Sequence, residues 1–117
     1  MRILLNHGVP APLRDFLRDH IVDTAYEMGW ARLENGLLLS SAEAAFDALI
    51  TSDQNLRYQQ NLTGRRLAVL VLPTTSWPKS QAHVEDVVAA VSRLRPGEFF
   101  ELTFQTNLRR FDPGDSS

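Results

Sequence analysis

The strongest hydrophobic signal in the chain is Leu67-Ala68-Val69-Leu70-Val71-Leu72, an apolar run with no polar interruption. A run without alternation predicts a central strand covered on both faces. Arg2 to Leu5 reads as a shorter buried strand, Ala48 to Thr51 as another, and His20 to Ala25, which alternates weakly, as a further one. Phe100, Leu102 and Phe104 alternate with Glu101 and Thr103, the pattern of a last strand with one wetter face. Helical spacing fills the intervals. Leu13, Phe16 and Leu17 predict a short helix from about Pro10 to Arg18, since proline is tolerated in a first turn. Leu37, Leu38, Ala42, Ala45 and Phe46 form a second stripe, with Asn35 suited to cap its start. Asp53 is placed to cap a short helix through Tyr58 and Gln59. Val84, Val87, Val88 and Val91 recur at i, i+3, i+4 and i+7, which predicts one helix from Gln81 to Leu94.

Strand and helix alternate throughout, which predicts an α/β fold: three layers, with a mostly parallel sheet of four to five strands flanked by helices. Crossovers are expected to be right-handed. A chain of 117 residues fits one domain, expected over residues 1–104. The polar stretch 105–117 reads as a flexible tail. The sequence has no cysteine, which excludes a disulfide scaffold and a Cys-ligated zinc site. The net charge of −2 argues against bulk attraction to nucleic acid while leaving room for a local basic rim. No stretch approaches the roughly 20 apolar residues of a membrane span. The apolar start is too short for a signal peptide, so a soluble, cytoplasmic protein without membrane contact is expected. The Asn61-Leu62-Thr63 sequon then carries no meaning.

Candidate chemistry follows from the predicted sheet. In open parallel sheets, ligands bind outside the carboxyl ends of the strands. The residues there are Asn6 and His7, then Glu34 and Asn35, then Thr51, Ser52, Asp53 and Asn55, then Thr74, Thr75 and Ser76. Oxygen-bearing side chains of this kind suit a hard cation or a phosphate. Each also has a plainer role: an Asx turn for Asn6, helix capping for Asn35 and Asp53, a surface position for His7 and Glu34. Arg57, Arg65 and Arg66 form a basic concentration expected beside this site, where arginine grips phosphate. Tyr58 and Trp77 offer rings on which unpaired bases stack. There is no Gly-rich phosphate loop.

Several stretches, in their order and spacing, resemble the PIN-like family of small, toxin-type proteins. They are Met1-Arg2-Ile3-Leu4-Leu5-Asn6-His7-Gly8-Val9-Pro10, Glu27-Met28-Gly29-Trp30, Asn35-Gly36-Leu37-Leu38 and Leu49-Ile50-Thr51-Ser52-Asp53-Gln54-Asn55-Leu56. The run Arg57 to Leu62 and the strand Leu67 to Leu72 extend the resemblance, which reaches about Leu102. It implies a parallel sheet with acidic residues at the strand ends, where active relatives hold Mg²⁺ or Mn²⁺ and activate water to cut RNA. The acidic positions of that pattern fall on Asn6, Asn35, Asp53 and Asn55, and only Asp53 is a carboxylate.

Each lost unit charge removes on the order of 8 kcal/mol of nominal attraction to a dication at ~4 Å and an effective dielectric near 20, most of it cancelled by desolvation. The expected site is therefore carboxylate-depleted. Glu34 and His7 are the residues able to join Asp53 as metal ligands, and His7 would favour Mn²⁺ or Zn²⁺ over Mg²⁺. Three readings stay open: a metal-dependent endoribonuclease, a non-catalytic module binding protein or RNA, or a small α/β domain with an unrelated ligand such as a phosphate, which the lack of a Gly-rich phosphate loop disfavours. The resemblance also implies a small antitoxin-like partner. A homodimer through the C-terminal strand or a helix face is a further expectation.

Overall fold

In the computed structural model the described residues are 1–56 and 64–104. Arg57, Tyr58, Gln59, the Asn61–Thr63 sequon and the stretch 105–117 lie outside them. The described residues form a five-stranded, all-parallel sheet in the order β2-β1-β3-β4-β5. The strands are β1 (Arg2–Leu5), β2 (Ile21–Thr24), β3 (Ala48–Thr51), β4 (Ala68–Val71) and β5 (Phe99–Glu101). A 3-10 helix (Ala11–Phe16) joins β1 to β2, and α1 (Asn35–Ala45) precedes β3. Two helices, α2 (Trp77–Ala82) and α3 (Val84–Arg93), lead from β4 to β5.

Side chains alternate across a strand, so each central strand supplies both layers of the core. Ile3, Leu5, Ala48, Ile50, Ala68 and Leu70 face one side, where Leu13 of the 3-10 helix, Leu17 just after it, and Val87 and Val91 of α3 cover them. Leu4, Leu49, Val69 and Val71 face the other, against Leu38, Leu39, Ala42 and Phe46. The unbroken apolarity of β1, β3 and β4 thus has its expected cause: both faces are covered. Among the described residues no helix is long and apolar enough to cross a membrane.

Tertiary packing revises four local expectations. The short helix expected to reach Arg18 is a 3-10 helix that ends at Phe16. Pro10 and Pro12 remove two backbone donors there, and a short 3-10 segment tolerates that. In α1, Leu37 points outward at 60% exposure, while Leu39, absent from the expected stripe, is fully buried. The helix expected from Gln81 to Leu94 is divided at His83, whose backbone (φ −123°, ψ 26°) is not helical. Ser76 starts α2 by accepting from the Lys79 N–H at 3.3 Å, and Pro78 fits its first turn. Val88, counted in the valine stripe, lies at its margin and is 36% exposed.

Glu27 blunts the outer edge of β2. Its carboxylate accepts from the Thr24 N–H at 3.0 Å, and its own N–H donates to Thr24 Oγ1 at 3.1 Å. The reciprocal pair is a capping box closing the turn after the strand. Glu27 also pairs with Arg14, whose hydrogen bond holds the Glu27 carboxyl below the ordinary glutamate range. A charged side chain occupying an edge N–H is a known defence against strand pairing between molecules.

Candidate functional site

The chain steps from β1 out to β2 and then back past β1 to β3, so the winding direction reverses between β1 and β3. The crevice at such a reversal is where open α/β sheets bind ligands. Leu5 lies opposite Ile50, which sets Asn6 beside Thr51 at the carboxyl ends of the two strands. The Asn6 N–H continues the ladder by donating to the Ile50 carbonyl at 2.9 Å.

The half-buried Asn6 side chain is held at both ends. Its Nδ2 donates to Thr51 Oγ1 at 3.2 Å, and its Oδ1 accepts from the His7 N–H at 2.9 Å, closing a turn out of the strand. Thr51 is 1% exposed, and its Oγ1 also accepts from the Asp53 N–H at 3.2 Å. A single buried hydroxyl therefore joins the ends of both strands. Thr51 is among the residues expected at this site, whereas Gln54 is not. The available signal is a hydroxyl ending an otherwise apolar strand. Gln54 Nε2 reaches the carbonyls of Ser52 and Leu72 and ties the loop after β3 to the end of β4.

Asp53 carries the carboxylate of this cluster, and both of its oxygens accept hydrogen bonds. Asn35 Nδ2 donates to Oδ2 at 2.9 Å, and the Asn55 N–H donates to Oδ1 at 2.9 Å. The second bond spans two residues and makes an Asx turn. Asn35 is the first residue of α1, not its cap. The cap position belongs to Glu34, which is extended and makes no side-chain capping bond. The Asn35 amide instead crosses to the loop after β3. Asn6, Asn35 and Asp53 thus belong to one hydrogen-bonded network, to which Asn55 contributes backbone while its side chain is exposed.

The loops after β1, β3 and β4 converge here. Gly8 has φ +90°, and a Cβ on it would meet Ser52 Oγ at 3.2 Å and Thr75 Cγ2 at 3.9 Å. Both the left-handed backbone and the close approach call for glycine. Thr74 and Ser76 have structural duties: Thr74 Oγ1 accepts from the Ser76 N–H at 3.0 Å, and Ser76 caps α2. His7 and Glu34 are exposed. Among the described residues, no three His, Cys, Asp or Glu side chains gather as a metal-holding group.

No protein-family model, curated protein or solved structure matches the chain. What stands is the fold, a five-stranded all-parallel α/β sheet with flanking helices.

Arg65 and Arg66 are not beside Asp53. They precede β4, and the pairing of Ala68 with Ala48 puts them at the amino end of the sheet, across the strands from Thr51. The expected neighbourhood fails because the strands are parallel: residues before one strand and after the next sit at opposite ends. There Arg65 Nη1 pairs with Glu43 Oε1 at 3.2 Å, and the Arg66 N–H donates to Glu43 Oε2 at 2.6 Å. The Arg66 N–H is the main cause holding the Glu43 carboxyl below the ordinary glutamate range, and Arg65 adds to it. At the same end the Arg2 N–H donates to Asp47 Oδ2 at 2.7 Å, and the Arg2 guanidinium lies over the Phe46 ring at 5.1 Å.

Proposed function

We propose that this chain is a PIN-like, toxin-type domain that has exchanged a metal-dependent ribonuclease site for a hydrogen-bonded lock and works as a non-catalytic binding module. The observation that carries the reading is the Asn35 amide donating to the Asp53 carboxylate at 2.9 Å. An amide N–H satisfies one carboxylate oxygen where a nuclease would need a second anion. With the Asn55 N–H on the other oxygen, Asp53 has protein donors on both.

The donor set does not fit Mg²⁺ or Mn²⁺. Such ions are held by carboxylates with water and phosphate oxygens completing the shell. Here one carboxylate is engaged by donors, and the amide nitrogen of Asn6 is turned toward Thr51. A protein partner, such as a small antitoxin-like chain, is favoured over RNA by the net charge of −2 and by Arg65 being paired with Glu43.

Calorimetric titration with Mn²⁺, together with cleavage assays on single-stranded RNA, tests the reading. The expected result is no binding at sub-millimolar Mn²⁺ and no cleavage. Binding with cleavage, both abolished by Asp53→Asn, would return the domain to the nucleases. The triple variant Asn6→Asp, Asn35→Asp, Asn55→Asp should gain Mn²⁺ affinity. Failure of a folded triple variant to bind would remove the PIN-like geometry itself.

A further inference from the structure

Asn35 and Gly36 open α1, half-buried between the exposed Glu34 and Leu37. Of the five asparagines in the sequence, Asn35 alone is followed by glycine; His7, Leu56, Leu62 and Leu108 follow the others. The difference is chemical. Glycine has no Cβ, so the backbone nitrogen after the asparagine can approach the side-chain amide carbon uncrowded. Larger residues hinder the same approach. Nothing in the backbone of α1 requires this glycine. Gly36 is not among the glycines with positive φ, and inside a helix glycine is less favourable than alanine.

The start of α1 leaves the Gly36 nitrogen outside the helical ladder. N–H groups in a first helical turn have no intrahelical acceptor. Glu34, at the cap position, makes no side-chain capping bond. Two bonds hold the turn: the Leu38 N–H donates to the Glu34 carbonyl at 2.8 Å, and the Asn35 amide donates to Asp53 at 2.9 Å. Helical backbone keeps the Gly36 nitrogen off the Asn35 amide carbon, so their approach requires the turn to fray, as helix ends do. The bond to Asp53, which comes from outside the helix, restrains that motion.

We infer that Asn35-Gly36 is a self-modification site, where deamidation of Asn35 opens the lock on Asp53. The Gly36 nitrogen attacks Asn35 Cγ. A bond forms between them, the Cγ–Nδ2 bond breaks, and ammonia leaves with the Gly36 proton. Solvent water then opens the cyclic imide to aspartate or isoaspartate. The sum adds water and releases ammonia, and no electrons are exchanged with a reductant or oxidant. Either product removes the amide that donates to Asp53 and puts a second carboxylate near it, where like charges oppose each other. Isoaspartate also routes the backbone through the side chain and adds a methylene to the first turn of α1. The reaction depends on the Asn35-Gly36 geometry alone. Its meaning, a carboxylate returned to a position that is acidic in the PIN-like pattern, rests on the binding-module reading.

Peptide mapping by mass spectrometry of the whole chain, sampled during warm incubation at neutral pH, follows the exchange of NH₂ for OH. Labelling with isoaspartyl methyltransferase detects the isoaspartate. Conversion is expected at Asn35 and not at Asn6 or Asn55. Gly36→Ala should slow it by ~tenfold or more, because a Cβ crowds the attacking nitrogen. Asp53→Ala should speed it by ~tenfold, the gain in fraying from losing a bond to a charged acceptor. Asp53→Asn keeps a weaker, neutral acceptor and should fall between. Asn35→Asp, a homogeneous copy of one product, should melt below the parent. No conversion at Asn35 in the folded chain, while the urea-unfolded chain converts, would overturn the inference. A rate indifferent to both Asp53 variants would remove the lock as its restraint, and an Asn35→Asp chain as stable as the parent would remove the unlocking. Mn²⁺ binding by the unmodified chain would instead reject the binding-module reading, on which conversion at Asn35 does not depend.

Discussion

The two ends of the sheet are held together by different chemistry. At the amino end, charges do the stapling: Glu43 takes Arg65 and the Arg66 N–H, and Asp47 takes the Arg2 N–H. At the carboxyl end, where an open α/β sheet keeps its ligand crevice, neutral groups predominate: Asn6, Thr51 and Asn35 surround the one carboxylate of Asp53. The contrast separates charge used for structure from charge available to a ligand. At the amino end the Glu43 and Asp47 carboxylates are engaged within the fold, whereas at the crevice the Asp53 carboxylate lies among neutral amide and hydroxyl groups.

Replacing Asp53 should have the largest effect, because both oxygens accept hydrogen bonds. Asp53→Ala removes the shared acceptor of the Asn35 amide and the Asn55 N–H and should cost about 2–3 kcal/mol in urea unfolding. A cost near zero would mean that the carboxyl-end network does not hold the fold. Thr51→Val keeps the volume but removes the hydroxyl that serves both Asn6 and Asp53, for an expected loss of about 1–2 kcal/mol.

At the amino end the test is pH. The Glu43 carboxyl sits below its ordinary range when folded, so its contribution is present above the unfolded glutamate value and is lost as pH falls through the lower folded one. Glu27 follows the same sign. Thermal melts of Glu43→Gln should therefore show a shallower loss of stability on acidification than the parent, with the curves converging at the acid end. Parallel curves would remove Glu43 from the account. Asn55→Ala gives the smallest change, within about 0.5 kcal/mol, because its backbone rather than its exposed side chain reaches Asp53.

Much of the fold was legible along the chain. The strands Arg2–Leu5 and Ala48–Thr51 have the expected bounds, since an apolar run flanked by turn residues has few alternatives in a parallel sheet. Helix details were less legible. Leu39 is buried and Leu37 is not, because α1 packs on the sheet through Leu38, Leu39 and Ala42. The break at His83 carries no signal in the valine stripe, which begins at Val84, just after it.

Local pattern was enough to specify an alternating α/β chain, two covered sheet faces and polar residues after each strand, because burial and backbone preference act over a few residues. It also showed that three of the four positions at the candidate site are asparagines. Only the folded arrangement decided what these residues do: Thr51 bridges two strand ends, Asn35 donates to Asp53, Asn55 acts through its backbone, and Arg65 and Arg66 stand at the other end of the sheet. Those outcomes depend on strand order and register, which bring together groups 18 and 45 residues apart along the chain. No local preference specifies contacts over such separations, because they arise when the whole sheet closes.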